Sequence, residues 1–433
     1  MTLLNRSFLI GVGWVLGLAT TVHAQSTDTL RLSLPQAEQQ FLDRNFQLLA
    51  QRYQIDISTA AVQQAGLKPN PNVFFQTNFF NPQTGKFFQY GHNSAADLAA
   101  SQFNKGGMTV QVQQLIQLAG KRSKLVQLAE SNRNLQTLAF RDVLRNLHYQ
   151  LYSTYANLYF NLQALSILRA EETRQQGLVT SYRSLVTTGG VAPYEVTRLE
   201  VALRDLQASI ADYRSQIADE EATLRVLLRP DQPRFILPTE LPIVARPLPP
   251  IAAALDSAQS NRPDAGLAQE QVNNAQRSLT LERARRTPDM TAGFIFDKYG
   301  NAFNNFTGLY TSIDLPVRNR NQGNIKIAEI QVDASKKAVE NQQTVIESDV
   351  LNAYDKLNTA YEQQAGLSAD YQSRVQTISI EATRSYNNRV IGLLDYLDKI
   401  RTYQQAQLNR INLQNKLFQS QQLFDYVTNT RFF

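Results

Sequence analysis

No cysteine occurs anywhere in the 433 residues. Disulfide staples, thiolate metal sites and an N-terminal lipid anchor on cysteine are therefore excluded. Histidine is nearly as scarce, with only His92 and His148 beyond the first 24 residues, and methionine is limited there to Met108 and Met290. No cluster has transition-metal spacing or the thioethers of a copper site. A phosphate-cradling glycine loop, a Walker motif and a Ser/His/Asp set in supporting context are missing too. The sequence thus predicts no enzyme, no cofactor and no resident metal. No apolar stretch reaches 18 residues, which rules out membrane-spanning helices. A net charge of +6 from 43 basic and 37 acidic residues is weak support for a nucleic-acid partner.

What is present begins with an N-terminal leader. Residues 1–24 carry Arg6, an apolar run from Phe8 to Leu18, and Val22-His23-Ala24 before Gln25. That pattern predicts a cleaved secretory signal peptide. The competing reading, a membrane anchor, needs a longer apolar run.

Beyond the leader, one pattern of elements occurs twice. The first unit, 25–229, reads as a helix over about 36–66, Pro71, strands over 72–81 and 108–118, then helices to Leu228. The second, 251–433, reads as a helix over about 251–286, Pro288, strands over 290–299 and 306–317, then helices to Val427. Residues 230–250 between them are proline-rich and predict a linker, placed midway along the molecule on its outside. A repeat of this length indicates a duplicated half rather than a solenoid.

The strands alternate. Met108, Val110 and Val112 oppose Thr109, Gln111 and Gln113; Ala292, Phe294 and Phe296 oppose Thr291, Gly293 and Asp297; Leu309, Ile313 and Leu315 oppose Ser312 and Asp314. About ten two-faced residues are enough for a tilted strand to cross a bilayer, where only a closed barrel satisfies the backbone. Four strands cannot close alone; three copies would supply twelve. A half-buried soluble sheet looks the same locally and remains an alternative. The loops at 82–107 and 300–305 are expected on the outer side. The helical stretches show a three-four rhythm at Leu144, Leu147, Leu151, Tyr155, Leu158, Leu162, Leu165 and Leu168. It recurs at Leu199, Leu203, Leu206, Ile210, Tyr213 and Ile217, and at Ile346, Val350, Tyr354, Leu357 and Tyr361. An arm from Lys121 to Thr187 extends on the order of 100 Å. Coiled-coil helices packed around a lumen are expected, with an ordinary four-helix bundle as the alternative.

Several local motifs resemble those of the TolC-like outer-membrane efflux proteins. They are Lys68-Pro69-Asn70-Pro71-Asn72, Leu118-Ala119-Gly120-Lys121-Arg122 (as in the heavy-metal branch) and Leu315-Pro316-Val317-Arg318-Asn319-Arg320-Asn321-Gln322-Gly323-Asn324. Two helical tips add to them, Gly189-Gly190-Val191-Ala192-Pro193-Tyr194-Glu195-Val196 and Val390-Ile391-Gly392-Leu393-Leu394-Asp395-Tyr396-Leu397-Asp398. The resemblance covers nearly the whole chain after residue 24. It implies a mainly α chain with membrane β, in which a homotrimer's twelve-stranded β-barrel continues into a long α-helical coiled-coil tunnel. It implies a passive exit duct through outer-membrane lipid for a tripartite efflux or type I secretion system, opened by a periplasmic adaptor (membrane fusion) protein and an inner-membrane pump. Residue by residue, it implies an acidic entrance constriction at Asp395 and Asp398 and a tip latch of Glu195 with Tyr386. It implies adaptor contact at Gly189 and Gly190. Two positions depart from the family: Ile391 stands where a basic gate partner is expected, and Arg389 where the second tip's glycine is expected. A periplasmic coiled-coil scaffold or adaptor-like protein is the competing function.

Overall fold

The computed structural model describes residues 29–82, 84–89, 94–100, 106–232, 235–241, 246–298 and 305–433. The leader, His92 and most of the 300–305 loop lie outside them. In chain order the elements are β1 (Thr29–Leu32), α1 (Leu34–Arg44), α2 (Phe46–Gly66), β2 (Asn72–Thr77), β3 (Phe80–Asn81), β4 (Lys86–Phe87), α3 (Ala95–Ala99), β5 (Met108–Ile116), α4 (Lys121–Thr187) and α5 (Pro193–Leu228). There follow β6 (Phe235–Pro238), α6 (Ile251–Asn261), α7 (Pro263–Arg285), β7 (Met290–Lys298), β8 (Phe306–Ile313), α8 (Gln322–Ala365), α9 (Ala369–Asn387) and α10 (Leu393–Thr428).

The two expected units break at matching places. The two helices expected at 36–66 and 251–286 are each split, at Asn45 and at Arg262. The causes are local. Asn45 caps α2, its side-chain oxygen accepting from the backbone N–H groups of Gln47 and Leu48 at 3.0 and 3.1 Å. Pro263 opens α7, where its missing N–H costs nothing. The first strand ends at Thr77 rather than 81, and the chain then makes the small antiparallel pair β3–β4, with β3 at the end of the expected strand and β4 in the expected loop. The second arm is interrupted between Ala365 and Ala369, whereas α4 runs unbroken for 67 residues, about 100 Å.

The proline-rich segment is more than a linker. Its residues 235–238 form β6, which pairs in parallel with β1 and buries Ile236 completely. Proline at the end of a short two-stranded pair removes no needed donor. Tyr155 of α4 pins the pair, its hydroxyl 2.8 Å from the Leu32 carbonyl oxygen and 3.2 Å from that of Glu240.

Three apolar cores are strung along the helices. One joins α1, α4, α5 and β6 around Phe41, Leu151, Leu158, Phe160 and Leu224. A second joins α6, α8 and α10 around Ala254, Ile346, Val350, Leu357 and Phe424. The third lies at the helical tips around Val179, Leu199, Ala382, Tyr396 and Ile400. Leu151, Leu158, Leu199, Ile346, Val350 and Leu357 among them are seam residues expected from the three-four rhythm. By contrast α2 buries only Leu48 and leaves Tyr53 and Ile57 exposed.

Charged groups fasten the C-terminal end to the middle of the bundle. Glu38 of α1 accepts from the Tyr152 hydroxyl at 2.8 Å and from Arg431 at 2.6 Å, and lies 2.8 Å from His148 Nε2. Burial pushes Glu38 upward, but those hydrogen bonds and the charge of Arg431 outweigh it and hold the carboxyl low; burial also depresses His148. Asp425 accepts from the N–H of Phe432 at 2.8 Å, yet its burial raises it to about 7. A carboxyl raised in the folded state favours folding below its unfolded value and loses that contribution as pH climbs toward 7. Asp425→Asn is therefore expected to match the parent's melting temperature at about pH 3 and to exceed it by a margin that grows up to about pH 8. Parallel melting curves across that range would show that Asp425 does not titrate in the fold.

Candidate functional site

The sheet order is β2-β5-β7-β8, antiparallel throughout, and its register sorts the side chains. One face carries the rows Val73–Val112–Phe294–Leu309 and Phe75–Val110–Phe296–Thr307, with Ile116, Met290 and Ile313 at the helical end. The other face carries Asn72–Gln113–Gly293–Tyr310 and Gln76–Thr109–Asp297–Phe306, with Gln111, Thr291 and Ser312. Leu309 is 80% exposed and Phe294 65%, so the apolar face has no protein cover within one chain. On the polar face Asp297 is buried and accepts from the Thr109 hydroxyl at 2.6 Å. Among the described residues, both outer strands, β2 and β8, have one unpaired edge within the chain. Such a sheet is half of two things: a surface awaiting an apolar medium, and a wall awaiting further strands. No helix among the described residues is long and apolar enough to cross a membrane.

At the far end, α4–α5 and α9–α10 form two helical hairpins with the same turn. Gly190 N donates to Leu185 O and Gly189 N to Val186 O, at 2.9 and 3.1 Å; Val390 N donates to Ser385 O and Arg389 N to Tyr386 O, at 2.8 and 2.9 Å. This paired 6→1 and 5→2 bonding is the Schellman closure, whose pivot residue takes a left-handed conformation. The pivots are Gly189 at φ 74° and Arg389 at φ 55°. Arg389 thus keeps the backbone shape of the expected glycine while adding an exposed cation and local strain. Arg389→Gly is expected to stabilise the second tip by about 1 kcal/mol, read as slower amide exchange across residues 385–391. Unchanged exchange would mean that the turn carries no such strain.

The tip residues are only partly brought together. Asp395 and Asp398 lie one turn apart on α10 and are both exposed. Tyr386 meets the hydroxyl of Tyr182 and stacks on Tyr396, ring centroids 4.5 Å apart. Among the described residues no hydrogen bond joins Glu195 to Tyr386. Glu195 instead acts on Tyr182, which is raised first by burial and then by the Glu195 charge. Tyr182 and Tyr396 were not singled out from the sequence. The signal was present in Val179 and Tyr182, which are three residues apart on α4 and face the same tip core.

Comparison with known proteins places these features. Residues 254–425 match the family described as Outer membrane efflux protein. Over 391 residues the chain is 22% identical to the cobalt-zinc-cadmium resistance protein CzcC of Cupriavidus metallidurans, covering 88% of this chain and 86% of the relative. Residues 254–425 thus carry the pattern of an outer-membrane efflux protein. Among solved structures, it superposes on the Campylobacter jejuni CmeC outer membrane channel with a TM-score of 0.76 at 14% identity, over 92% of this chain and 86% of that one. A membrane protein from Pseudomonas aeruginosa gives 0.74 at 17% identity, over 93% and 91%. At such identities the structures establish the fold. In the frame of the efflux proteins, the sheet is the outer-membrane portion and the helices reach into the periplasm, with the paired tips at their far end.

Proposed function

We propose that three copies of this chain close a twelve-stranded barrel and act as the passive outer-membrane exit duct of a tripartite efflux machine. The observation that carries this reading is the sheet: an uncovered apolar face, a polar opposite face, and two free edges, continuous with long helices of which α4 reaches about 100 Å. Closure with two neighbours satisfies the edges, places the apolar rows in lipid and turns Gln111, Gln113 and Thr109 into the lumen. The exposed Tyr53 and Ile57 of α2 supply apolar surface for neighbouring helices. A soluble periplasmic scaffold would leave the apolar face in water, so the sheet disfavours it.

At the tips, a periplasmic adaptor fits Gly189 and Gly190 and the exposed Tyr194, Val390 and Leu394, and it must accommodate Arg389; the energy comes from an inner-membrane pump. Asp395 and Asp398 from three chains form an acidic ring at the entrance, which favours cations. With CzcC as a relative, divalent transition-metal cations are the cargo class that fits this ring. In the closed state Tyr386 is held by Tyr182 and Tyr396, with Glu195 beside Tyr182.

Conductance in planar bilayers tests the gate. Tyr386→Phe removes the hydroxyl contact and is expected to raise single-channel conductance, and Asp395→Asn with Asp398→Asn to reduce cation preference. Unchanged conductance in the first and unchanged selectivity in the second would overturn the latch and the ring respectively.

A further inference from the structure

The four places where strand meets helix contain a charge imbalance that the duct itself does not require. Segments 66–72, 116–126, 282–291 and 312–327 hold ten basic residues and three acidic ones, a net +7, whereas the whole chain has a net charge of only +6. The rest of the molecule is thus close to neutral, and its positive charge is gathered at one level. That level is the helical end of the sheet, immediately past Ile116, Met290 and Ile313 on the apolar face.

Not all these cations are free. Lys121 is buried against Asp289 at 2.8 Å, Arg283 pairs with Glu329 at 3.1 Å, and Arg285 with Glu282 at 2.5 Å. Arg285 and Arg286 also line a cleft of about 490 Å³ with Thr291, Ser312 and Asp314, on the polar side of the sheet. Lys68, Arg122, Arg318 and Arg320 lie outside that cleft, are exposed, and have no ion-pair partner among the described residues. They are interleaved with uncovered apolar side chains: Leu67 at 61% exposure, Leu315 at 77% and Val317 at 71%, the last two lying two and four residues beyond Ile313.

We propose that Lys68, Arg122, Arg318 and Arg320 form a collar that binds anionic phospholipid headgroups in the periplasmic leaflet. The proposal rests on the barrel reading above. Leu315 and Val317 extend the lipid-facing surface to the depth of the headgroups, and the arginines there present donor forks suited to phosphate oxygens. Three copies bring twelve such cations around one circumference. The collar thereby fixes the depth of the barrel electrostatically.

The test is native mass spectrometry of the full protein released from detergent micelles doped with phosphatidylglycerol or with phosphatidylcholine. Preferential, salt-sensitive retention of phosphatidylglycerol is expected. Each neutralisation, such as R318Q, should lower the retention ratio about fivefold at low ionic strength. The K68Q/R122Q/R318Q/R320Q variant should lose the preference, and R122K/R318K/R320K should keep most of it. Equal retention of the two lipids by the parent protein would overturn the collar, as would an unchanged preference in the neutralised variant. Displacement of lipid by millimolar inorganic phosphate would also overturn it, revealing a free-anion site. Failure of the barrel reading looks different: the protein would then carry no lipid of either kind and stay soluble without detergent.

Discussion

Gly293→Val is expected to abolish barrel assembly. A Cβ at Gly293 would stand 2.2 Å from the carbonyl oxygen of Val112 and 2.8 Å from the Cα of Gln113, both backbone atoms of the neighbouring strand. No rotamer change relieves a clash with backbone, so β5 and β7 must separate in the middle of their ladder. Overpacking of this kind costs about 3 kcal/mol or more, and in a bilayer the broken ladder leaves polar groups with no water to bind. The expected readout is loss of the heat-modifiable oligomer from the outer-membrane fraction. Gly308→Ala is the control: its Cβ meets only side-chain atoms of Phe306 and Ile295, at 3.1 and 3.2 Å, and those can shift. Normal assembly of Gly293→Val would mean that the β5–β7 register is wrong.

The second large effect lies where α7 meets α8 and α10. Arg262, its side chain 4% exposed, donates to Asp264 at 2.6 and 3.0 Å and to Asp349 at 3.0 Å, with the Val427 carbonyl oxygen 3.5 Å away. Arg145 of α4 reaches Asp264 at 3.3 Å. One guanidinium thus ties the start of α7 to α8 and to the end of α10. Burial pushes Asp264 upward, but its hydrogen bond to Arg262 and the charges of Arg145 and Arg262 hold it below the usual range. Arg262→Ala leaves that carboxylate with Arg145 alone and Asp349 without its buried partner, and the expected loss is about 3 kcal/mol of stability in thermal unfolding. Adding Asp264→Asn should recover part of it, because one under-compensated buried charge is then gone. Arg262→Lys should rescue poorly, since a single ammonium cannot reproduce the fork. A loss below about 1 kcal/mol would show that the cluster is solvated rather than structural.

Much of this architecture was legible in the sequence because period and punctuation are local. The alternation in Met108–Ile116 and Met290–Lys298 came through as paired strands, and Leu147, Leu151, Tyr155 and Leu158 as a buried seam. What stayed hidden depended on partners far along the chain. β6 is four residues within a proline-rich segment, and only its pairing with β1, about 200 residues earlier, makes it a strand. The break at Asn45 was hidden because an asparagine within an apolar periodic stretch reads as a solvated position; its capping role follows from φ and ψ. At the tip, the sequence pointed to Tyr386, but its partner Tyr182 belongs to the other unit. Spacing within one unit could not connect them.

The most direct test of the central claim is the mass of the detergent-extracted protein from the outer-membrane fraction, measured by native mass spectrometry. The account predicts a detergent-dependent particle of three chains, because only shared closure occupies the free edges of β2 and β8. A monomer released from washed envelopes without detergent would contradict it.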